Sequence, residues 1–257
     1  QVTYGTEILD ISSANGLPLS LAQVQAALPF ALWHARSVIV TSTGAFLGTP
    51  YGDYVGGSAN ADTFLATLGN DTIHGDAGFD TIDYSAIGEP VDVDLLNGVA
   101  AFASGSRQVY SGVEALVGSA FGDTLRGGIA ADGLMGGGGG DLLAGRGGND
   151  SVAGGVGDDT LDGGAGADVL DGGSGNDLVT YLNATGAVRA DLYAPAWTWG
   201  DAGGDIFIGI EILAGSSFGD QLLGDADANT ILGMAGNDYL VGGAGNDTLD
   251  GGDGNDS

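Results

Sequence analysis

The chain has 257 residues, 52 of them glycine, no cysteine, and a formal charge of −29. Without cysteine there are no disulfide staples and no thiol chemistry, and no run of about 18 apolar residues is present to cross a membrane as a helix. Five arginines and no lysine make nucleic acid and anionic membrane surfaces poor partners and cations good ones.

Residues 1–50 carry only two acids and one base. Ser20 and Gln23 have the spacing of a capping box. Leu21, Val24 and Leu28 then recur on one helical face, and Pro29 ends the helix. Residues 37–42 read as a strand. Residues 1–56 are therefore expected to be a small mixed cap with one short helix, covering the open end of the architecture that follows. A fragment of a separate domain is the competing reading.

From Gly57 onward a nine-residue pattern takes over, Gly-Gly-x-Gly-x-Asp-x-(apolar)-x, clearest at 154–162, 163–171 and 242–250. Its sixth position falls at Asp62, Asp71 and Asp80, then at Asp123, Asp132, Asp141, Asp150, Asp159, Asp168 and Asp177, then at Asp220, Asn229, Asp238, Asp247 and Asp256. The eighth position is apolar in all fourteen copies that reach it, from Phe64 to Leu249. A flexible Gly-rich linker would not hold a carboxylate and a hydrophobe in phase over such a length. Each part has a physical task. Glycine permits a sharp turn at positive φ, aspartate offers a hard oxygen ligand suited to calcium, and the residues after it make one very short strand with its middle side chain inward. The fourth position lacks glycine at Asn60, Phe121, Ala130, Phe218 and Asp227, so the best calcium turns are expected between Gly136 and Asp177 and between Gly233 and Asp256. Stacked carboxylates one strand spacing apart would repel without a counter-ion, so folding is expected to be coupled to calcium.

Two 34-residue inserts, 84–117 and 181–214, interrupt the repeats at 57–83, 118–180 and 215–257, and they align without a gap. Tyr84 matches Tyr181, Asp94 matches Asp191, and Gly112-Val113-Glu114 matches Gly209-Ile210-Glu211. Val91, Val93 and Leu95 alternating with Asp92 and Asp94 predict a strand with one buried face. Each insert is expected to be a wider coil continuing the same solenoid, a protruding loop being the alternative. Trp197 and Trp199 alternate in the second insert, where Ala100 and Phe102 stand in the first. They offer either ordinary packing or a polysaccharide-stacking face.

Catalytic constellations are scarce. His-Glu-x-x-His is absent, and the only histidines are His34 and His74. His74 falls at a ninth position and reads as a surface residue. Residues 215–219 fit the Gly-x-Ser-x-Gly pattern, but in phase with the nonapeptides. Asp94 with Glu114 and Asp191 with Glu211 would make acid/base pairs, although their duplication favours a structural or calcium role.

From about Gly57 to Ser257 the chain resembles the RTX (repeats-in-toxin) family of calcium-binding nonapeptide proteins. The resemblance implies an all-β fold, a right-handed parallel β-roll or β-helix solenoid in which two nonapeptides make one coil, with the two wider-coil inserts and the cap added. It implies several Ca2+ ions held between turns that lie one coil apart. The carboxylate pairs are then Asp62/Asp80, Asp123/Asp141, Asp132/Asp150, Asp141/Asp159, Asp150/Asp168, Asp159/Asp177, Asp220/Asp238 and Asp238/Asp256, with Asn229/Asp247 weaker. Asp71 lies in the same register. Turn carbonyls complete the shell, from Gly137, Gly139, Gly155, Gly157, Gly164, Gly166, Gly173, Gly175, Gly243 and Gly245. Such proteins are typically exported unfolded by type I machinery and fold outside the cell. Gln1, and an end inside a repeat at Ser257, lead to the expectation of a piece of a larger protein. The implied role is a secreted, extracellular structural or adhesive protein of the cell surface (a surface layer, sheath or matrix), partnered by calcium and by self-association or a cell-surface polysaccharide. The alternative is the calcium-folded module of an exported protease, lipase or polysaccharide epimerase whose catalytic domain lies elsewhere.

Overall fold

A computed structural model describes residues 52–194 and 197–257, together with the backbone of three earlier strands, Leu9–Asp10, Val38–Ile39 and Ala45–Leu47. The helix expected near residues 20–28 lies outside the described residues, while Val38–Ile39 falls within the strand expected at 37–42.

The chain coils between two walls of very short strands. Within each nonapeptide stretch, successive strands alternate between the walls. Each pairs in parallel with the strand two nonapeptides later, as Leu142–Ala144 does with Thr160–Asp162. Among the described residues one wall has fourteen strands and the facing wall eight, and a three-stranded sheet later takes over from the second wall. The same coil-to-coil pairing already holds between Ala45–Leu47 and Thr63–Leu65. Helical conformation among the described residues is confined to 3-10 turns in the second insert, at Trp197 and Gly200–Ala202. The all-β parallel solenoid expected from the sequence is the fold.

A three-residue strand buries one side chain, and the eighth position supplies it. Leu125, Leu143, Leu161 and Val179 stack up one wall and Leu134, Val152 and Leu170 up the other, all at most 2% exposed. Leu249, on the strand paired with Thr230–Leu232, is exposed.

The inserts continue the solenoid, as expected, but not as simple wider coils. In the first, Val91–Asp94, Val99–Phe102 and Arg107–Ser111 form an antiparallel meander built into the fourteen-stranded wall. It lies between Thr72–His74 and Thr124–Arg126, opposite a single strand, Ala115–Val117, on the other wall. One wall thus gains two strands over the other. Seven nonapeptides, an odd number, separate the inserts, so the second insert enters from the opposite wall. There the meander is incomplete. Arg189–Asp191 begins the three-stranded sheet, Ile206–Ile208 ends the eight-stranded wall, and between them Trp199 makes only an isolated antiparallel bridge to Arg189. The reason is size. Ala100 and Phe102 are buried in the first meander, Phe102 tilted against Tyr84 at 5.9 Å between ring centroids. Trp197 replaces Ala100 and does not fit an alanine-sized space. Trp197 and Trp199 are instead 71% and 42% exposed. Ordinary packing, the first of the two expectations for them, does not account for these tryptophans.

Candidate metal centre

The sixth-position carboxylates form ladders along the two edges of the roll. In nine pairs the backbone N–H of the sixth-position residue donates to Oδ1 of the residue 18 positions later, at 2.7 to 3.0 Å. These bonds join all nine pairs implied by the two-nonapeptide coil, including Asn229 with Asp247. Asp53 N–H donates likewise to Asp71 at 3.0 Å, so the ladder reaches one position upstream of the first copy counted in the sequence. The signal was present, since Asp53 stands one nonapeptide before Asp62.

The side-chain oxygen that faces the turn divides the fifteen turns into two kinds. In six of them the protein satisfies it, five through a carboxylate Oδ2 and one through the single amide oxygen of Asn229. Backbone N–H groups of Ser58, Ser119, Gly128 and Ser216 donate to Oδ2 of Asp62, Asp123, Asp132 and Asp220. Asp225 N–H donates to Asn229 Oδ1 at 2.9 Å, and the Gln108 amide caps Asp71 Oδ2 at 2.9 Å. In the other nine turns the second and fourth residues both have positive φ, as at Gly155 (112°) and Gly157 (130°). The second-position N–H then does not cap the carboxylate. Oδ2 of Asp80, Asp141, Asp150, Asp159, Asp168, Asp177 and Asp238 is buried without a hydrogen-bond partner. Asp247 and Asp256 have the same turn conformation at the more exposed end. Five of the six closed turns are those without glycine at position four. A side chain there opposes the left-handed conformation, and the turn relaxes so that its second N–H faces inward. Gly137, Gly139, Gly164, Gly166, Gly173, Gly175, Gly243 and Gly245 share the left-handed geometry of the open turns.

Open turns stack so tightly that their carbonyls and carboxylates crowd together. A methyl group on Gly154 would meet both Asp159 Oδ2 and the Gly172 carbonyl oxygen, the latter at 2.7 Å. An unsatisfied buried polar atom costs roughly 1–3 kcal/mol, and more if charged. Burial, then the charge of neighbouring rungs, pushes Asp141 and Asp150 up to about 6. Asp159, Asp168, Asp177 and Asp238 shift upward too, chiefly through burial. A divalent cation is the counter-charge that lets such groups ionise. Among the described residues no three acidic or histidine side chains converge as a metal cluster. A shell here must combine carboxylates with backbone carbonyls, which is calcium chemistry rather than that of a softer metal.

The inserts supply rungs that sequence reasoning did not place. Asp80 N–H donates to Glu114 Oε2 and Asp177 N–H to Glu211 Oε2, both at 2.9 Å. Gln108 and Asp205 align in the two inserts, and each accepts from the matching tyrosine, Tyr84 at 3.2 Å and Tyr181 at 2.7 Å. Asp205 also takes the N–H of Asp168, and burial pushes it up to about 7. The expected acid/base pairs are engaged apart: Asp94 is clamped by Nη1 and Nη2 of Arg146, both at 2.9 Å, and Asp191 contacts Arg189 at 3.3 Å. His74 lies half-buried on the wall against Ser111 Oγ, at 2.7 Å.

No curated protein matches the chain. The family model described as RTX calcium-binding nonapeptide repeat (4 copies) matches residues 47–86, 110–143, 144–179, 206–240 and 223–257. These segments cover the coils that carry the ladders and together exceed half of the chain. Repeats of this kind are calcium-binding structural modules, typical of secreted proteins, and their in-phase aspartates fit multiple Ca2+ ions. The chain belongs to the RTX calcium-binding nonapeptide repeat family.

Proposed function

We propose that calcium occupies the nine open turns, at Asp80, Asp141, Asp150, Asp159, Asp168, Asp177, Asp238, Asp247 and Asp256, with turn-glycine carbonyls completing each shell. The six closed turns, at Asp62, Asp71, Asp123, Asp132, Asp220 and Asn229, hold their shape through protein hydrogen bonds. The observation that carries this reading is the buried, partnerless second oxygen, which recurs in the open turns and is capped in the closed ones. Calcium bound there supplies the missing charge, and the chain's own part is to hold two stacked turns at the spacing the ion bridges.

The folded roll then acts outside the cell as a structural or adhesive element, without catalysis. Its flanks support that role: Asp83, Asp171 and Asp250 at ninth positions add outward-facing charge to a chain of net −29. Such flanks repel at low divalent ion and are bridged when calcium is abundant. Light scattering on the folded protein should show assemblies growing as calcium rises from micromolar to millimolar, reversed by chelator. A strict monomer at high protein concentration across that range points instead to the module of an exported enzyme. The exposure of Trp197 and Trp199 favours a polysaccharide as a second partner, since exposed indole faces stack on sugar rings.

A further inference from the structure

Three stacks of open turns run into an insert, ending at Asp80, Asp168 and Asp177, and none has an aspartate two nonapeptides later, because the insert begins first. Asp168 turns to Asp205, 37 residues on, while Asp80 and Asp177 share a different solution. In each case a glutamate 34 residues later takes the vacant rung, accepting the N–H that an aspartate would accept. Glu114 and Glu211 stand two residues after Gly112 and Gly209, whose φ values are +63° and +57°. Leu116 and Leu213, two residues further on, are buried like any eighth-position side chain. Gly-x-Glu-x-Leu is thus a shortened nonapeptide end, with glutamate at position six.

The carbonyls fall into place as well. In a regular open turn the first glycine faces its own aspartate Oδ2 and the carbonyl of the next coil's first glycine, as Gly154 faces Asp159 and Gly172. At the stack ends the insert glycine substitutes. A methyl group on Gly172 would meet Asp177 Oδ2, at 2.7 Å, and the Gly209 carbonyl oxygen. One on Gly75 would meet Asp80 Oδ2, at 2.5 Å, and the Gly112 carbonyl oxygen. Asp80 and Asp177 are fully buried, and in both Oδ2 has no partner. Among the described residues the arginine ion pairs go to Asp92, Asp94 and Asp191, none to these glutamates.

We infer that Glu114 and Glu211 are calcium ligands, forming with Asp80 and Asp177 two composite sites that lie outside the nonapeptide motif. Each site joins a nonapeptide stack to an insert. The extra methylene of glutamate makes up for the shortened turn. This rests on the calcium reading proposed above, and the test separates the two.

Bound calcium per chain is counted at saturation, by equilibrium dialysis with elemental analysis, for the full chain, Glu114→Gln, Glu211→Gln and Asp159→Ala. The amide oxygen of glutamine still accepts the rung N–H, so these two variants keep the fold in calcium and lose only the charged ligand. Each is expected to bind one ion fewer than the unmodified chain, and the double variant two fewer. Because the two sites are independent, either variant alone decides. A full ion count in either glutamine variant, with ions lost in Asp159→Ala, overturns the inference and leaves the calcium reading standing. An unmodified chain that binds no calcium overturns both.

Discussion

Asp159→Ala is expected to raise the calcium concentration at half-folding by roughly tenfold, the shift that ~1.4 kcal/mol of lost binding produces. Asp159 stands in the middle of a ladder. Its Oδ1 accepts the Asp141 N–H at 2.8 Å, its own N–H donates to Asp177 at 2.8 Å, and its Oδ2 is buried without a partner. Truncation removes a ligand from the ions on either side and leaves a buried N–H unpaired. Asp256 makes the matching bond to Asp238 at 3.0 Å but is exposed on the last coil. Asp256→Ala is expected to move the midpoint by less than about twofold. Equal shifts in the two variants, read by circular dichroism, would count against ions shared between turns of successive coils.

Gly157→Ala tests the other half of the site, the turn that brings the carbonyls in. Gly157 has φ of +130°, and an added methyl group would fall on the Gly139 carbonyl oxygen of the neighbouring coil. Left-handed strain costs about 1–2 kcal/mol for a residue with Cβ, and the overlap adds the cost of a shifted backbone, for a total of about 2–4 kcal/mol. Gly88 is the control, with nothing within 4 Å of its added methyl group. Gly88→Ala is expected to stay within about 0.5 kcal/mol of the unmodified protein. Denaturant unfolding in saturating calcium measures both, and a near-neutral Gly157→Ala would show that the stack tolerates side chains there.

Much of this molecule was legible in its sequence because a strict repeat makes one local decision many times. The eighth-position hydrophobes predicted the stacked core, and the pairing of Asp141 with Asp159 across one coil followed from the family resemblance. Loss of glycine at Asn60, Phe121, Ala130, Phe218 and Asp227 marked weaker turns, and these five turns are closed by backbone N–H groups. The closed turn at Asp71 was not legible. Its fourth residue, Gly69, is glycine, and the donor that closes it, Gln108, arrives from 37 residues away. The meander was missed for a similar reason. Val91 and Val93 signal a strand, but nothing local says that Val99–Phe102 runs back against it. The rungs Glu114 and Glu211 carried a readable sign, Gly-x-Glu-x-Leu in nonapeptide phase, obscured by the missing first half of the motif. Trp197 shows the opposite case, where alignment with buried Ala100 implied an interior place that its volume forbids.

If calcium supplies what the open turns lack, folding and binding are one event. A far-ultraviolet circular dichroism titration of the calcium-stripped chain reads this. The expected result is a steep, cooperative gain of β signal with a midpoint on the order of 10⁻⁴ to 10⁻³ M calcium, reversed by chelator. A complete β spectrum in excess chelator, unchanged as calcium is added, would contradict it.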